Sequence, residues 1–358
     1  MKALIAAGGH ATRLRPITYT INKHLIPLAN KTMIEHAIEK IVECGITEIA
    51  ININPGEMEI QKAIGDGSRW NVRMTYLEQI GGAKGLGHII ANASSWIGDH
   101  PFLFYLGDNI ILESIKPLAD RFVLEQLDCL LGLSEVKDPQ RFGVPEIRGG
   151  RITRVIEKPT DPPSQFAVTG IYFFKPCALD AAREIRPSDR GEYEITDLIT
   201  WLINHTYAVG YEEITGWWKD TGKPEDLIEG NSLLLDRMTH SEIAPDAMIA
   251  EDIHIEGIVR IGSGTIIESG SRIIGPACIG DRCHIQKGVI GPHVSIGNDV
   301  RIEQATISDS IVMDGCEIQD GHPISYSVFG RNVRALKTVS RTDGSHRCLF
   351  GDNTLVEW

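Results

Sequence analysis

The residues best suited to chemistry near the start of the chain are Arg13, Arg15 and Lys23, which follow closely on the pair Gly8-Gly9. A guanidinium is a planar fork of donors that matches phosphate oxygens, and a lysine ammonium adds a compact charge. Adjacent glycines let the backbone turn sharply and bring bare N–H groups against an anion. Together the pair and the three cations form a cradle for a polyphosphate; the pair alone equally fits a plain turn. Asp108 is the next candidate. It ends the apolar run Phe102-Leu-Phe-Tyr-Leu-Gly-Asp-Asn109, whose buried residues pin the backbone that presents it, although an Asp here also suits turn capping.

These groups need elements to position them. Ala3 to Ala7 is an apolar run long enough for one buried parallel strand. It delivers Gly8 and Gly9 to the carboxyl end of a sheet, where open α/β sheets place ligands. Residues 32 to 44 carry Ile34, Ala37, Ile38, Ile41 and Val42 at helical spacing, and Gly45 ends that helix. A strand over Glu48–Ile53, a helix over Glu57–Ile64 and a strand over Val72–Tyr76 follow. This alternation predicts a parallel α/β sheet, with Asp108 emerging at the same edge as Gly8. Gln79-Ile-Gly-Gly-Ala-Lys-Gly-Leu-Gly87 is a second glycine-rich loop between strand and helix. Further on, Arg151 to Glu157 alternates as a strand and ends in Glu157-Lys158-Pro159.

Composition changes after Asp236. Isoleucine then recurs every six residues at Ile243, Ile249, Ile255, Ile261, Ile267, Ile273, Ile279 and Ile285. Neither helix nor simple strand has that period; a hexapeptide parallel β-helix does, with Ile inside and Gly at the corners. The phase slips by one residue at Ile290, resumes at Ile296 and Ile302, and then degrades. Residues 334 to 358 are expected to cap the coils. The chain is therefore read as two domains, 1–237 and 243–358, with every candidate functional residue in the first.

The stretch Gly8-Gly-His-Ala-Thr12-Arg13-Leu-Arg-Pro16 followed by Lys23 resembles the G-G-x-G-T-R-L-x-P and P-K signature of the sugar-1-phosphate nucleotidylyltransferases. It departs at Ala11, where the signature has glycine, and at Asn22, where it has proline. The resemblance runs nearly the full chain and is nearest the long-form glucose-1-phosphate thymidylyltransferases. It implies a Rossmann-like nucleotidylyltransferase domain followed by a left-handed parallel β-helix of hexapeptide repeats.

By the same resemblance, Gly8, Gly9, Thr12, Arg13 and Lys23 bind the nucleotide, with Gln79 and Gly85 at the nucleobase. Asp108 and Asp220, the latter in Trp217-Trp-Lys-Asp-Thr-Gly222, hold Mg²⁺, which on a triphosphate takes one or two protein carboxylates. Glu157 binds sugar hydroxyls and Lys158 the sugar phosphate. Val168 and Thr169 line the sugar, Glu192 touches it, and Gly143 allows it close to the backbone. Arg13, Lys23, Lys158 and Asp108 form the catalytic set. The implied reaction joins dTTP or UTP to glucose 1-phosphate, giving dTDP-glucose in the first case and releasing pyrophosphate.

Bulk properties narrow the partners. A net charge of −13 argues against nucleic acid and anionic membrane, which both need a basic face. The first residues run into Gly8-Gly9 too soon for a signal segment, and no apolar run reaches membrane-spanning length. Seven cysteines without a C-x-x-C predict free thiols in a reducing, cytoplasmic setting. Coils of this kind pack side by side, so a homo-oligomer is expected. Two other readings remain. The coils could carry acetyltransferase chemistry with His254, His284 or His293 as base, or the chain could be a non-catalytic regulatory or assembly subunit of the same architecture.

Overall fold

The computed structural model describes residues 1–9, 11–214, 216–319, 323–336 and 347–357, except for the side chains of Asp220 and Glu357. Two compact units emerge: Met1–Gly9 with Ile34–Lys219, and His10–Met33 with Asp220–Trp358. The chain thus enters the second unit early, leaves it, and returns.

The first unit is built on a seven-stranded sheet. Its strands are β1 (Lys2–Ala6), β2 (Glu48–Ile53), β3 (Arg73–Glu78), β4 (Phe102–Leu106), β5 (Cys129–Glu135), β6 (Phe166–Phe174) and β7 (Val209–Glu213), in the order β7-β5-β6-β4-β1-β2-β3. β1 runs parallel to both β2 and β4, while β6 runs antiparallel to β4 and β5. The apolar runs form strands because both faces are covered: Ala3, Leu4 and Ile5, and Phe102 to Tyr105, are wholly buried. Ala6 lies opposite Leu106, so the residues after each strand issue at one carboxyl edge. The first helix spans Met33–Glu43, close to its predicted range. A separate antiparallel hairpin, Gly143–Arg148 with Arg151–Glu157, places Glu157 opposite Gly143.

In the second unit three parallel sheets share the repeats, an arrangement consistent with a parallel β-helix. Ile243 lies opposite Ile261, Ile261 opposite Ile279, and Ile279 opposite Ile296. The slip at Ile290 shortens the turns it falls in: Ile273 pairs with Ile290 and Ile285 with Ile302, one residue short of the earlier spacing. Ile261, Ile267, Ile273, Ile279 and Ile285 are buried, whereas Ile243 is 45% exposed because no coil precedes it. Corner glycines are required. A Cβ on Gly262 would stand 2.5 Å from the Gly280 carbonyl carbon, and one on Gly280 2.6 Å from that of Gly297.

Polar ladders stitch the coils. Asp281 Oδ1 accepts from the Ser263 amide at 2.8 Å, Asn298 Oδ1 from the Asp281 amide at 2.8 Å, and Asp314 Oδ1 from the Asn298 amide at 2.7 Å. Cys283 and Cys316 occupy interior positions, where burial pushes their thiols up to about 11 and about 12. None of the seven cysteines is joined in a disulfide. Arg334–Leu336, Leu349–Phe350 and Leu355–Glu357 continue two of the sheets, while 337–346 lie outside the described residues.

Candidate active site

Within the first unit, five candidate positions gather at the carboxyl edge of the sheet. Gly8 follows β1, and a Cβ there would meet Asn52 Nδ2 at 3.1 Å and both Asn54 Oδ1 and Gln79 Oε1 at 3.3 Å. Gly9 adopts φ +144°, a conformation that favours glycine. Gln79 is buried and held from two sides: Asn52 Nδ2 donates to its Oε1 at 3.3 Å, and its Nε2 lies 3.1 Å from His88 Nδ1. Asn52 Oδ1 is also buried, with no hydrogen-bond donor among the described residues. Burial, and then the charge of Lys84, hold the His88 imidazole below its ordinary value.

The loop carrying Gln79 is fastened to the segment carrying Glu192. Gly85 has φ +94°, and a Cβ there would lie 2.7 Å from the Tyr193 carbonyl oxygen. The Tyr193 amide donates to Lys84 O and the Gly87 amide to Tyr193 O, both at 2.8 Å, while the Tyr193 ring stacks on His88. Asp108 stands one residue past Gly107, whose amide extends the β1–β4 pairing by donating to Ala6 O at 3.0 Å. Its Oδ1 accepts from Asn109 Nδ2 at 2.9 Å, and Asn109 Oδ1 in turn accepts from Trp218 Nε1 at 2.6 Å. The carboxylate is therefore oriented by a buried amide rather than left to rotate.

Arg190 organises the acidic side of the site. It donates to Glu157 Oε1 at 3.3 Å and Glu192 Oε2 at 3.1 Å, and its guanidinium lies 3.4 Å from Glu194 Oε1. Lys158 pairs with Glu157 at 3.0 Å, and Thr196 Oγ1 donates to Glu157 Oε2 at 3.4 Å. Burial raises the Glu194 carboxyl above the usual range, against the lowering effect of the Ser188 hydroxyl bonded to it at 2.8 Å. Gly143 is needed beside this group, since a Cβ would fall 2.7 Å from Thr196 Cγ2. Val168 is buried opposite Leu133. Thr169 is wholly buried and donates its hydroxyl to Gly132 O at 2.9 Å, so that group is spent within the sheet.

Thr12, Arg13 and Lys23 belong to the second unit. Thr12–Leu14 is a short 3-10 turn entered from Ala11 at φ +41° and ψ +45°, the left-handed geometry for which the signature uses glycine. Lys23–Leu25 is another such turn. Asn22, at the other departure, caps it by accepting from the His24 amide at 2.8 Å. Arg13 is exposed and Lys23 half-buried. The Asp220 side chain lies outside the described residues. His254, His284 and His293 do not assemble: His254 and His284 sit on different sheets, His284 meets Glu268 at 2.5 Å, and His293 meets Asp236 at 2.9 Å.

Sequence reasoning missed Asn52, His88, Asn109, Tyr193, Arg190 and Glu194. Two signals were available. Asn52 is the lone polar residue within the apolar core of β2, and Asn109 and Glu194 lie inside motifs already singled out. Arg190 lies only two and four residues from Glu192 and Glu194, but folding alone brings Glu157 to it.

A mostly parallel sheet with a glycine pair, a buried amide and an oriented carboxylate at one carboxyl edge defines an α/β protein built around a nucleotide-type ligand. The chain belongs to the Nucleotidyl transferase family, which matches residues 2–237; residues 273–357 match the GMPPB C-terminal domain. It is 37% identical over 360 residues to the low-salt glycan biosynthesis nucleotidyltransferase Agl11 of Haloferax volcanii, covering 100% of both chains. It is also 37% identical over 359 residues to a glucose-1-phosphate thymidylyltransferase of Streptomyces antibioticus, covering 100% of this chain and 99% of the relative. Among solved structures, a putative glucose-1-phosphate thymidylyltransferase from Bacillus anthracis, in complex with a sucrose, matches with a TM-score of 0.63 at 36% identity. That match covers 67% of this chain and 98% of the other. No described helix is long and apolar enough to cross a membrane.

Proposed function

We propose that this protein transfers a nucleotidyl group from dTTP, or UTP, to glucose 1-phosphate. The coarser activity, nucleotidyl transfer to a sugar 1-phosphate, is what family membership and the full-length relatives support. The observation that carries the finer reading is the unbroken set of contacts from Gln79 through His88 and Tyr193 to the segment holding Glu192 and Arg190. A base-reading amide and a sugar-reading carboxylate are thereby held on one framework. Asn52 Oδ1, an acceptor without a donor beside Gln79, suits the imide N–H that thymine and uracil share.

In the proposed reaction a sugar-phosphate oxygen attacks the α-phosphorus in line. A new P–O bond forms, the bond to the β-phosphate oxygen breaks, and pyrophosphate leaves. Such chemistry asks for positioning and charge neutralisation more than for covalent help. Arg13 and Lys23 are assigned to the triphosphate, Lys158 to the sugar phosphate, and Glu157 and Glu192 to sugar hydroxyls, on the strength of the motifs. The chemistry of the donors fits Mg²⁺. Asp108 is an oriented carboxylate, a hard oxygen donor of the kind Mg²⁺ takes beside waters and substrate oxygens. Asp108 and Asp220 would hold it, and when bound it would neutralise phosphate charge.

The reading extends to a left-handed sense for the coils, a homo-oligomer assembled through them and a cytoplasmic setting. Pyrophosphate release measured for each pairing of dTTP, UTP, ATP and GTP with glucose, mannose and N-acetylglucosamine 1-phosphates tests the function. The highest kcat/KM is expected for dTTP or UTP with glucose 1-phosphate. A clear preference for another pair would overturn the substrate assignment.

A further inference from the structure

The segment bearing Arg13 and Lys23 is tied to the coils of its own unit. Pro27–Leu28 and Lys31–Thr32 pair as an antiparallel hairpin, with Leu28 opposite Lys31. Ala29 and Asn30 form its two-residue turn at φ +49° and +61°, the left-handed pair such hairpins need. The tip is bonded on both sides. Asn30 Nδ2 donates to Ile296 O at 2.7 Å, and the Ala29 amide donates to Asn231 Oδ1 at 2.8 Å.

Asn231, wholly buried on the helix Pro224–Asp236, is the junction. The same Oδ1 accepts from Ser295 Oγ at 2.6 Å, and its Nδ2 donates to His293 O at 3.4 Å. A second tie lies nearer Arg13: a Cβ on Gly351 would fall 3.0 Å from Pro16 O, so that coil packs closely against the loop. From the hairpin the bonding runs on to Lys23, since the Met33 amide donates to Ile26 O at 3.2 Å and the Ile26 amide to Lys23 O at 3.1 Å.

We infer that the repeat coils set the position of the triphosphate-binding segment, and that Asn30 and Asn231 are positioning residues acting through Lys23. This rests on the reading of Arg13 and Lys23 as triphosphate ligands. It gives the coils a part in catalysis without a residue of their own in the site. The physical reason is that a short irregular segment holds long charged side chains in place only if its backbone is immobilised, and buried hydrogen bonds to a rigid stack do this.

Calorimetric titration of the full chain with dTTP and UTP tests the inference. Asn30→Gly deletes the bond to Ile296 while keeping a residue at ease at positive φ, and Ser295→Ala removes one arm of the Asn231 junction. Each is expected to weaken triphosphate binding roughly tenfold, the scale of one well-made hydrogen bond. Binding of glucose 1-phosphate and the melting temperature should stay nearly unchanged. Asn30→Gly combined with Lys23→Ala should bind no more weakly than Lys23→Ala alone, an outcome that a general loss of stability would not produce. Should Lys23→Ala weaken binding while Asn30→Gly and Ser295→Ala do not, or should the double variant be additive, the inference falls and the functional reading stands. If the wild-type protein binds no nucleoside triphosphate, or Lys23→Ala binds as well as wild type, the reading of the cations falls and the inference with it.

Discussion

The coils of the second unit and the sheet of the first use aliphatic residues in opposite ways. In the coils one position is filled again and again by the same residue: Ile261, Ile279 and Ile296 lie in register, as do Ile267, Ile285 and Ile302. Each interior isoleucine is buried by the coils on either side of it, so burial falls at the open end, as at Ile243. The sheet of the first unit repeats nothing. Its edge brings together Gly8, Asn52, Gln79 and Asp108 from four different strand ends, each with its own partners. Repetition makes a structure stiff and easy to extend; chemistry needs positions that differ from one another.

The sharpest way to break this contrast is to cut the same side chain at two places in the repeat. Ile273→Ala, at a fully buried position, should cost about 2–5 kcal/mol, and Ile243→Ala, at the open end, within about 0.5 kcal/mol of nothing. Urea unfolding of both variants measures the gap. Equal costs would mean that the first coil is covered in solution.

A comparable effect, but on turnover rather than folding, is expected at the sheet edge. Asp108→Asn should leave circular dichroism unchanged and lower kcat at least about a hundredfold, the scale of one lost charge-stabilising group. Near-normal pyrophosphate release would remove Asp108 from the mechanism.

Smaller and more selective changes should separate the substrates. Lys158→Ala is expected to raise KM for the sugar 1-phosphate roughly tenfold with little change for the nucleotide, as for loss of one charged hydrogen bond. Arg13→Ala should act on the nucleotide and on kcat. Steady-state kinetics showing the reverse pattern would mean the two ends of the site are exchanged.

A pH dependence follows from His88. Its imidazole resists protonation in the folded protein, because burial and Lys84 both disfavour the cation. The unfolded chain takes up that proton first, so stability falls as pH drops through the ordinary imidazole range and is fully present above it. His88→Gln should flatten that limb of a melting-temperature profile; an unchanged limb would place its origin elsewhere.

The smallest expected effect is at Ala11. Held at φ +41°, it forgoes about 1 kcal/mol relative to a residue at ease there, partly offset by the extra freedom of glycine when unfolded. Ala11→Gly should raise the unfolding free energy by less than about 1 kcal/mol. A loss of stability would show that the methyl group makes useful contacts.

By itself the sequence determined the first strands and helices of the first unit, the repeat and its slip at Ile290, and the family. These are local in origin: a strand needs only its run of apolar residues, and the repeat needs only its period. The neighbouring strand ends that present Gly8 and Asp108 were legible too, because parallel α/β alternation leaves little choice. Tertiary structure alone decided that Arg190 would meet Glu157, and that Trp218 would hold the Asn109 amide that orients Asp108. It also decided that residues 10–33 would fold with the coils rather than with the sheet they follow, through Asn30, Asn231 and Ser295. No local pattern announces such contacts. Their partners lie from 30 to more than 200 residues away in the chain, and a hydrogen bond between distant residues leaves no period behind.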